Sequence, residues 1–591
     1  MISKLKKGKG WEYAAFLLFL VLYGIVLISH EPWFDEAQSW QIAKCASLRE
    51  MLFEIPHYEG HPPFWWLLLA VPAKLGVPFE LGLKAVGALL TVSCVWLILF
   101  KMPYPRLMRL VLPFTYFVFY QYGVIVRPYT LMLLAGLLLA LAFPKREEKP
   151  FAFTAILMLL CLSSAYGIVF AGGVALCWVW ELVQEKGVRS FFHSLFRDRR
   201  TVSLFLLLVL AVLLILEFMP RKDTMITSSG GNNSFLFCFV VALLTFLSEC
   251  TITTSTWFAM DRVLLQKASI PTAYLITLGV IGILLWTIII GASSKRSLKY
   301  IIIPYFLLSC FAAGVYFSSH HVGIFLILLL FWIGILFQDD QRFEVGKLII
   351  QRIAKTEKDI LLMKKTAAAV CIVCLFVPAC WTVFASIYDF QYDYSFGRTA
   401  SSFLNKHGLE KTLILSSWND YFSENGNARQ ENVFVQGNSV LLSAYFDHNM
   451  CYNLNDGNDQ EAYMHYKQAT IEENEKARNA WKAEGIPDLL LSTPNLEAVY
   501  GKEISYDDFS LVQMLEYNYI WKNQYISYKL PLYMRNDLLD QYQIEPITDV
   551  SYEYWTNGFS ITEEMREAYE NGVPVEEILK PYLDAMFGPE E

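Results

Sequence analysis

The chain has 591 residues, 55% of them hydrophobic and 15% aromatic, with a mean hydropathy of +0.36; this composition, gathered into repeated apolar runs of roughly 15 to 22 residues, belongs to a polytopic membrane protein. The formal charge of −8 is unevenly divided: residues 391–591 hold 33 acidic and 14 basic side chains, leaving 23 acidic and 34 basic for residues 1–390. An acidic tail on a basic membrane part argues against nucleic acid as a partner, and eleven cysteines, nine of them in or against apolar runs, lack the close, even spacing of a disulfide or thiolate-zinc framework.

Lys4, Lys6, Lys7 and Lys9 precede the first apolar run, which places the N-terminus in the cytoplasm by the positive-inside rule. That run has no small-residue cleavage site and reads as a retained helix. Spans are expected near residues 13–30, 82–100, 107–123, 129–144, 151–164, 166–183, 202–219, 270–292, 300–317, 322–338 and 366–386. Two further apolar stretches, 63–77 and 235–256, decide the count. Kept on the outer face as interfacial or re-entrant helices, they leave eleven spans, and five basic clusters then fall inside: Lys101/Arg106/Arg109, Lys145/Arg146/Lys149, Lys186 to Arg200, Lys295/Arg296/Lys299 and Lys347 to Lys365. Counting one of them as a span flips downstream clusters outside. Counting both gives thirteen spans and misplaces the loops between them. Either way the tail lies outside.

The first outer loop, within residues 30–80, begins with His30-Glu-Pro-Trp-Phe-Asp-Glu36. Asp35 and Glu36 sit past the first span, where carboxylates stay ionised and can meet a substrate from lipid or water. Their alternative role is a solvated acidic turn capping an interfacial helix. The loop continues through His57, Glu59 and His61 to His61-Pro-Pro-Phe-Trp-Trp66, where Pro62 and Pro63 force an extended lead-in and favour a helix start. Glu36, His57 and His61 are the residue types of a divalent-cation site, but Gly60, Pro62 and Pro63 work against the helix that would gather the two histidines, and no cofactor is firmly indicated.

Arg127 follows in Gly123-Val-Ile-Val-Arg-Pro-Tyr129, a short outer connection with Pro128 where a helix would begin. A guanidinium beside the positive end of a helix suits phosphate oxygens; an arginine snorkelling to headgroups is the alternative. Tyr166, in Ser163-Ser-Ala-Tyr-Gly167, and Arg221 and Lys222 after the seventh span also face outward. His320 and His321, in Tyr316-Phe-Ser-Ser-His-His-Val-Gly323, open another span from the same face. As neighbours they point about 100° apart on a helix and do different jobs, in binding or merely at the interface.

The tail alternates apolar runs at 412–415, 440–446 and 489–491 with helical patterns at 398–407, 461–484 and 575–587, and the Tyr-rich stretch 517–533 reads as a strand pair. A small α/β domain over 391–591 follows. Asn453-Leu-Asn-Asp-Gly-Asn-Asp459 is out of register for a calcium loop and reads as a turn.

The order of Phe34-Asp-Glu-Ala37, His61-Pro-Pro63, Arg127-Pro-Tyr129 and His320-His-Val-Gly323 resembles the GT-C superfamily of polyprenyl-phosphate-sugar-dependent glycosyltransferases, nearest to its protein O-mannosyltransferase, aminoarabinose transferase and RgtA/B/C/D-like branch. The likeness covers about the first 390 residues. It implies a GT-C-like bundle of 11 to 13 helices over residues 1–390, Asp35 as catalytic base with Glu36 beside it, and Arg127 on the lipid phosphate. Tyr129, His320 and His321 are then candidate phosphate donors, and His61, Tyr166, Arg221 and Lys222 candidate substrate contacts.

The chemistry points the same way on separate grounds. A polyprenyl-phosphate sugar brings its own leaving group and anchor, so one carboxylate and a few cationic donors at the bilayer surface suffice. Nucleotide-sugar chemistry would instead call for a cytoplasmic Gly-rich turn, and the sequence has none. The expectation is a multi-pass transferase acting, with inversion, on an extracytoplasmic glycan, lipid or protein of the cell envelope. A lipid-linked glycan or solute transporter would carry repeat symmetry and charges deep in its spans; a non-catalytic envelope assembly protein would use the acidic tail to bind a partner.

Overall fold

The computed structural model describes residues 9–224, 234–253, 272–353, 356–416, 437–454, 461–467, 470–492, 494 and 496–548. Eight of the described helices are long and apolar enough to cross a membrane: Gly10–Ser29, Phe79–Phe100, Ala165–Lys186, Arg199–Glu217, Leu275–Ala292, Lys295–Gly314, Ser319–Leu336 and Glu357–Gln391. Three expected spans are shorter or broken. Tyr129–Ala142 and Pro150–Cys161 are single short helices. The 107–123 span is built from Arg106–Val111, a 3-10 turn Leu112–Phe114 and a π-helix Phe117–Val124. Pro113 lacks the N–H that a continuous helix needs there, and the wide π turn ends in the extended residue Ile125, just before Arg127.

The two ambiguous stretches become Phe64–Lys74 and Phe235–Glu249, both shorter than a crossing. Phe64–Lys74 joins two spans whose ends lie together, since Ser29 at the end of one span and Glu80 at the start of the next bind the same side chain, Arg398. The basic clusters meet at the opposite end. Glu181 accepts from Arg146 (2.6 Å), Arg296 (3.1 Å) and Lys299 (2.9 Å), and Arg200 reaches Glu147 at 2.9 Å. Glu12, 1% exposed, is matched by Arg106 and Arg109. The Phe343 N–H donates to the Ala292 carbonyl at 2.8 Å, bringing the start of the Glu344–Ile353 helix to the same end.

The tail carries a four-stranded sheet: β1 Ile414–Ser416, β2 Leu489–Leu491, β3 Phe509–Trp521 and β4 Gln524–Arg535, in the order β1-β2-β4-β3. β1 and β2 are parallel and the other pairs antiparallel. The expected Tyr-rich strand pair is the long β3–β4 hairpin. Two expectations change: residues 440–446 lie largely in a helix, Gly437–Ser443, and the 461–484 pattern is helical only over Ile471–Glu484. Residues 575–587 and most of the 453–459 turn lie outside the described residues.

The tail is not a separate body hung on the last span. It keeps one small core to itself around Trp481, Leu490 and Val499. A second core interleaves Trp40 and Trp66 of the 30–80 loop and Leu83 of the Phe79–Phe100 span with Leu404, Leu441 and Leu515 of the tail. The hairpin tip goes further: Ile520 and Trp521 belong to the core of the membrane helices, with Trp521 edge-on to Tyr116 at 5.5 Å.

Candidate active site

The acidic pair sits in the first turn of the Phe34–Cys45 helix, and the helix turns its two carboxylates to different tasks. Glu36 is fully buried. Its Oε2 accepts from the Trp33 N–H at 3.1 Å and its Oε1 from the Val126 N–H at 2.7 Å, so it caps its own helix and holds the segment that leads to Arg127. Gly87 makes the close approach possible: a Cβ there would come within 2.6 Å of the Val126 side chain. Asp35, partly exposed, pairs with the Arg127 guanidinium.

Behind Glu36 lies His30, the residue that ends the first span. Its Nδ1–H donates to Asp389 at 2.9 Å and its Nε2 lies 3.7 Å from Glu36 Oε2. Burial alone would pull its pKa down, but the Asp389 and Glu36 carboxylates outweigh it and hold it up at about 9.

Arg127 also lies against the phenol of Tyr129, which stands at the helix start that Pro128 prepares. The Tyr129 Oη is 2.7 Å from His321 Nε2. The Ser318 N–H donates to His321 Nδ1 at 2.8 Å, which leaves the proton of the neutral ring on Nε2, facing Tyr129. Tyr166 stacks on His321 with ring centres 4.7 Å apart, and its hydroxyl binds the Tyr316 carbonyl. The His320 carbonyl accepts from Tyr122 Oη at 2.7 Å and its ring meets Ser318 Oγ at 2.8 Å. Gly323 is required here, because a Cβ would strike Tyr122 and Phe117. His61 and Arg127 stand beside both histidines. Burial pulls His61 down to about 4, and its Nδ1 is buried without a hydrogen-bond partner among the described residues.

Asp35, Arg127, Tyr129, His61, His320, His321 and Tyr166 thus come together at the helix ends on the side where the tail packs. Arg221 and Lys222 do not: both are exposed, and Arg221 lies over the Tyr58 ring, 5.7 Å from its centre. His57 donates to the Met219 carbonyl at 2.9 Å, so Glu36, His57 and His61 diverge. Among the described residues no three His, Cys, Asp or Glu side chains are grouped as a metal ion requires.

The tail supplies groups that sequence reasoning placed elsewhere. Tyr519 of β3 lies beside Arg127 and Ser319, its pKa pushed up to about 12 by burial. Tyr466 stands next to Glu59 and Arg127. Glu59 accepts from Gln38 at 2.7 Å, and burial pushes its carboxyl up to about 7. The same Gln38 binds both the carbonyl and the N–H of Met464 at 2.8 Å, stitching the loop to the tail. No pattern signalled Tyr466 or Tyr519. Asp389 had one visible mark, a carboxylate at the end of the last apolar run.

No family model and no curated protein matches the chain. Among solved structures, it is similar to ArnT from Cupriavidus metallidurans bound to undecaprenyl phosphate, with 12% identity, a TM-score of 0.47, and coverage of 89% of this chain and 98% of that one.

Proposed function

We propose that the protein is an integral-membrane glycosyltransferase that moves one sugar from a polyprenyl-phosphate donor to an extracytoplasmic acceptor of the cell envelope, inverting the anomeric centre. The observation that carries this reading is the Asp35–Arg127 pair at the outer ends of membrane helices, where a proton acceptor and a phosphate-binding fork stand side by side. The acceptor hydroxyl attacks the anomeric carbon as the bond from that carbon to the phosphate oxygen breaks. The bonding pair leaves with the polyprenyl phosphate, and the hydroxyl proton passes to Asp35. Arg127 meets the charge that grows on the leaving phosphate. The proton on His321 Nε2 fixes Tyr129 Oη as an acceptor toward that ring, leaving the phenolic proton for a phosphate oxygen. Glu36, with both oxygens on backbone N–H groups, is a positioning residue in this scheme.

The free protein spends its phosphate-binding group on its own base. A donor phosphate competes with Asp35 for Arg127 and releases the carboxylate to take a proton, so the donor binds before the acceptor. The test is sugar transfer by purified Asp35→Asn, which keeps the shape of the side chain and loses its basicity. Transfer should fall by about two to four orders of magnitude at unchanged expression and folding. Near-parental transfer removes Asp35 from the mechanism.

A further inference from the structure

We infer that His30, Glu36 and Asp389 form a buried positioning device that sets the Asp35–Arg127 pair, so that the last membrane helix and the tail it carries are wired to the active site through one imidazolium. The inference deepens the glycosyltransferase reading and rests on its assignment of Asp35 and Arg127.

The three side chains are sealed: His30 and Glu36 are 0% exposed and Asp389 5%. A carboxylate in such a place needs a positive partner, because removing a charge from water costs several kcal/mol. His30 is that partner for two of them, donating from Nδ1 to Asp389 at 2.9 and 3.2 Å and facing Glu36 from Nε2 at 3.7 Å. Both Glu36 oxygens then hold backbone, the Trp33 N–H two residues before Asp35 and the Val126 N–H one residue before Arg127. The two members of the catalytic pair therefore hang from one carboxylate. Asp389 is five residues from Tyr394, whose ring packs on His30 at 4.7 Å and on Tyr519 at 5.9 Å. The tail thus reaches the same imidazole.

The groups around His30 are few. Tyr120 faces it edge-on at 6.2 Å, and Tyr394 packs on the other side. Its carbonyl accepts from Lys84 at 2.6 Å and from Arg398 at 3.2 Å, both of which pair with the single carboxylate of Glu80; Glu31, next along the chain, accepts from the Arg398 N–H. Among the described residues, Asp389 and Glu36 are the carboxylates that meet the ring itself. Because they hold its pKa at about 9, the imidazolium is complete through neutral pH and is lost as pH rises through that value.

The experiment is the pH profile of sugar transfer by the full-length protein, with kcat and KM resolved. In the parent, kcat should decline on the alkaline side as His30 loses its proton. Asp389→Asn removes one of the two charges that keep it protonated. It should move that decline to lower pH by about 1 to 3 units and lower kcat at neutral pH by roughly 10- to 100-fold, as a misplaced catalytic pair does, with KM for the donor rising as Arg127 is displaced along with Asp35. Glu36→Gln serves if the first variant does not fold, since its Oε1 still accepts from the Val126 N–H. It should also move the decline downward while retaining clearly more transfer than Asp35→Asn. A folded Asp389→Asn whose profile superimposes on the parent overturns the inference, as does Glu36→Gln with transfer as low as Asp35→Asn. An active Asp35→Asn would instead overturn the glycosyltransferase mechanism, so the two failures are told apart.

Discussion

The hairpin tip makes the sharpest prediction about how the tail is held. Lys522, in the β3–β4 turn with a backbone φ of +55°, is 0% exposed and donates from Nζ to Glu249 Oε1 at 2.8 Å, to the Glu249 carbonyl at 2.9 Å and to the Thr253 carbonyl at 2.6 Å. Trp381 of the last span covers the ammonium at 4.5 Å. Glu249 is 1% exposed, so Lys522→Met leaves a buried carboxylate and two carbonyls without their donor. Breaking a buried pair from one side costs about 3 to 5 kcal/mol, whereas replacing both partners by apolar groups is often near neutral. Lys522→Met should therefore lower the melting midpoint of the detergent-solubilised protein by ~5 °C or more and expose the tail to protease. The double variant Lys522→Met with Glu249→Leu should recover most of that loss. Because Tyr519 lies three residues up the same strand and beside Arg127, the single variant should also lose transfer before it loses the membrane fold. Equal midpoints for parent and Lys522→Met, or a double variant no better than the single one, would refute the account of a charge pair holding the hairpin.

Three further outcomes are expected. Arg127→Lys keeps the charge but not the planar fork, so KM for a polyprenyl-phosphate sugar should rise by about tenfold; donor kinetics equal to the parent would reduce Arg127 to an interfacial anchor. Glu59 is raised by burial to about 7, above its unfolded value, so its neutral form is the favoured one: its contribution to stability is complete at low pH and is lost as pH rises through 7. Glu59→Gln should then match the parent in melting midpoint near pH 5 and exceed it near pH 8, and equal midpoints at both values would show that the carboxyl ionises freely. Single cysteines at Ser190 and Thr470, both exposed, in a background without accessible native thiols, should label from the cytoplasm and from outside respectively; labelling from one side would reverse the orientation argued from the basic loops.

Local signals carried far along this chain. Apolar length and loop charge set an expectation of eleven crossings and left the stretches that become Phe64–Lys74 and Phe235–Glu249 out of that count, because hydropathy and the clustering of lysine and arginine are read from neighbouring residues alone. Pro63 and Pro128 marked helix starts, since a fixed φ acts on the next residue or two. Topology alone put Asp35, Arg127, Tyr129 and the two histidines on one expected face, and the fold brings them together. What the tertiary structure alone decided is which of two adjacent carboxylates meets Arg127. One residue of helix rotates a side chain by about 100°, so Asp35 meets Arg127 while Glu36 turns to Val126 and His30, and nothing in the Asp-Glu dipeptide states which way the helix rolls. The His30–Asp389 bond joins residues 359 apart and the Lys522–Glu249 bond residues 273 apart. Contacts of that span leave no periodicity or spacing in the sequence; they exist only because the tail folds back and shares its core with the outer loop, and this is why Tyr466 and Tyr519 stand beside Arg127.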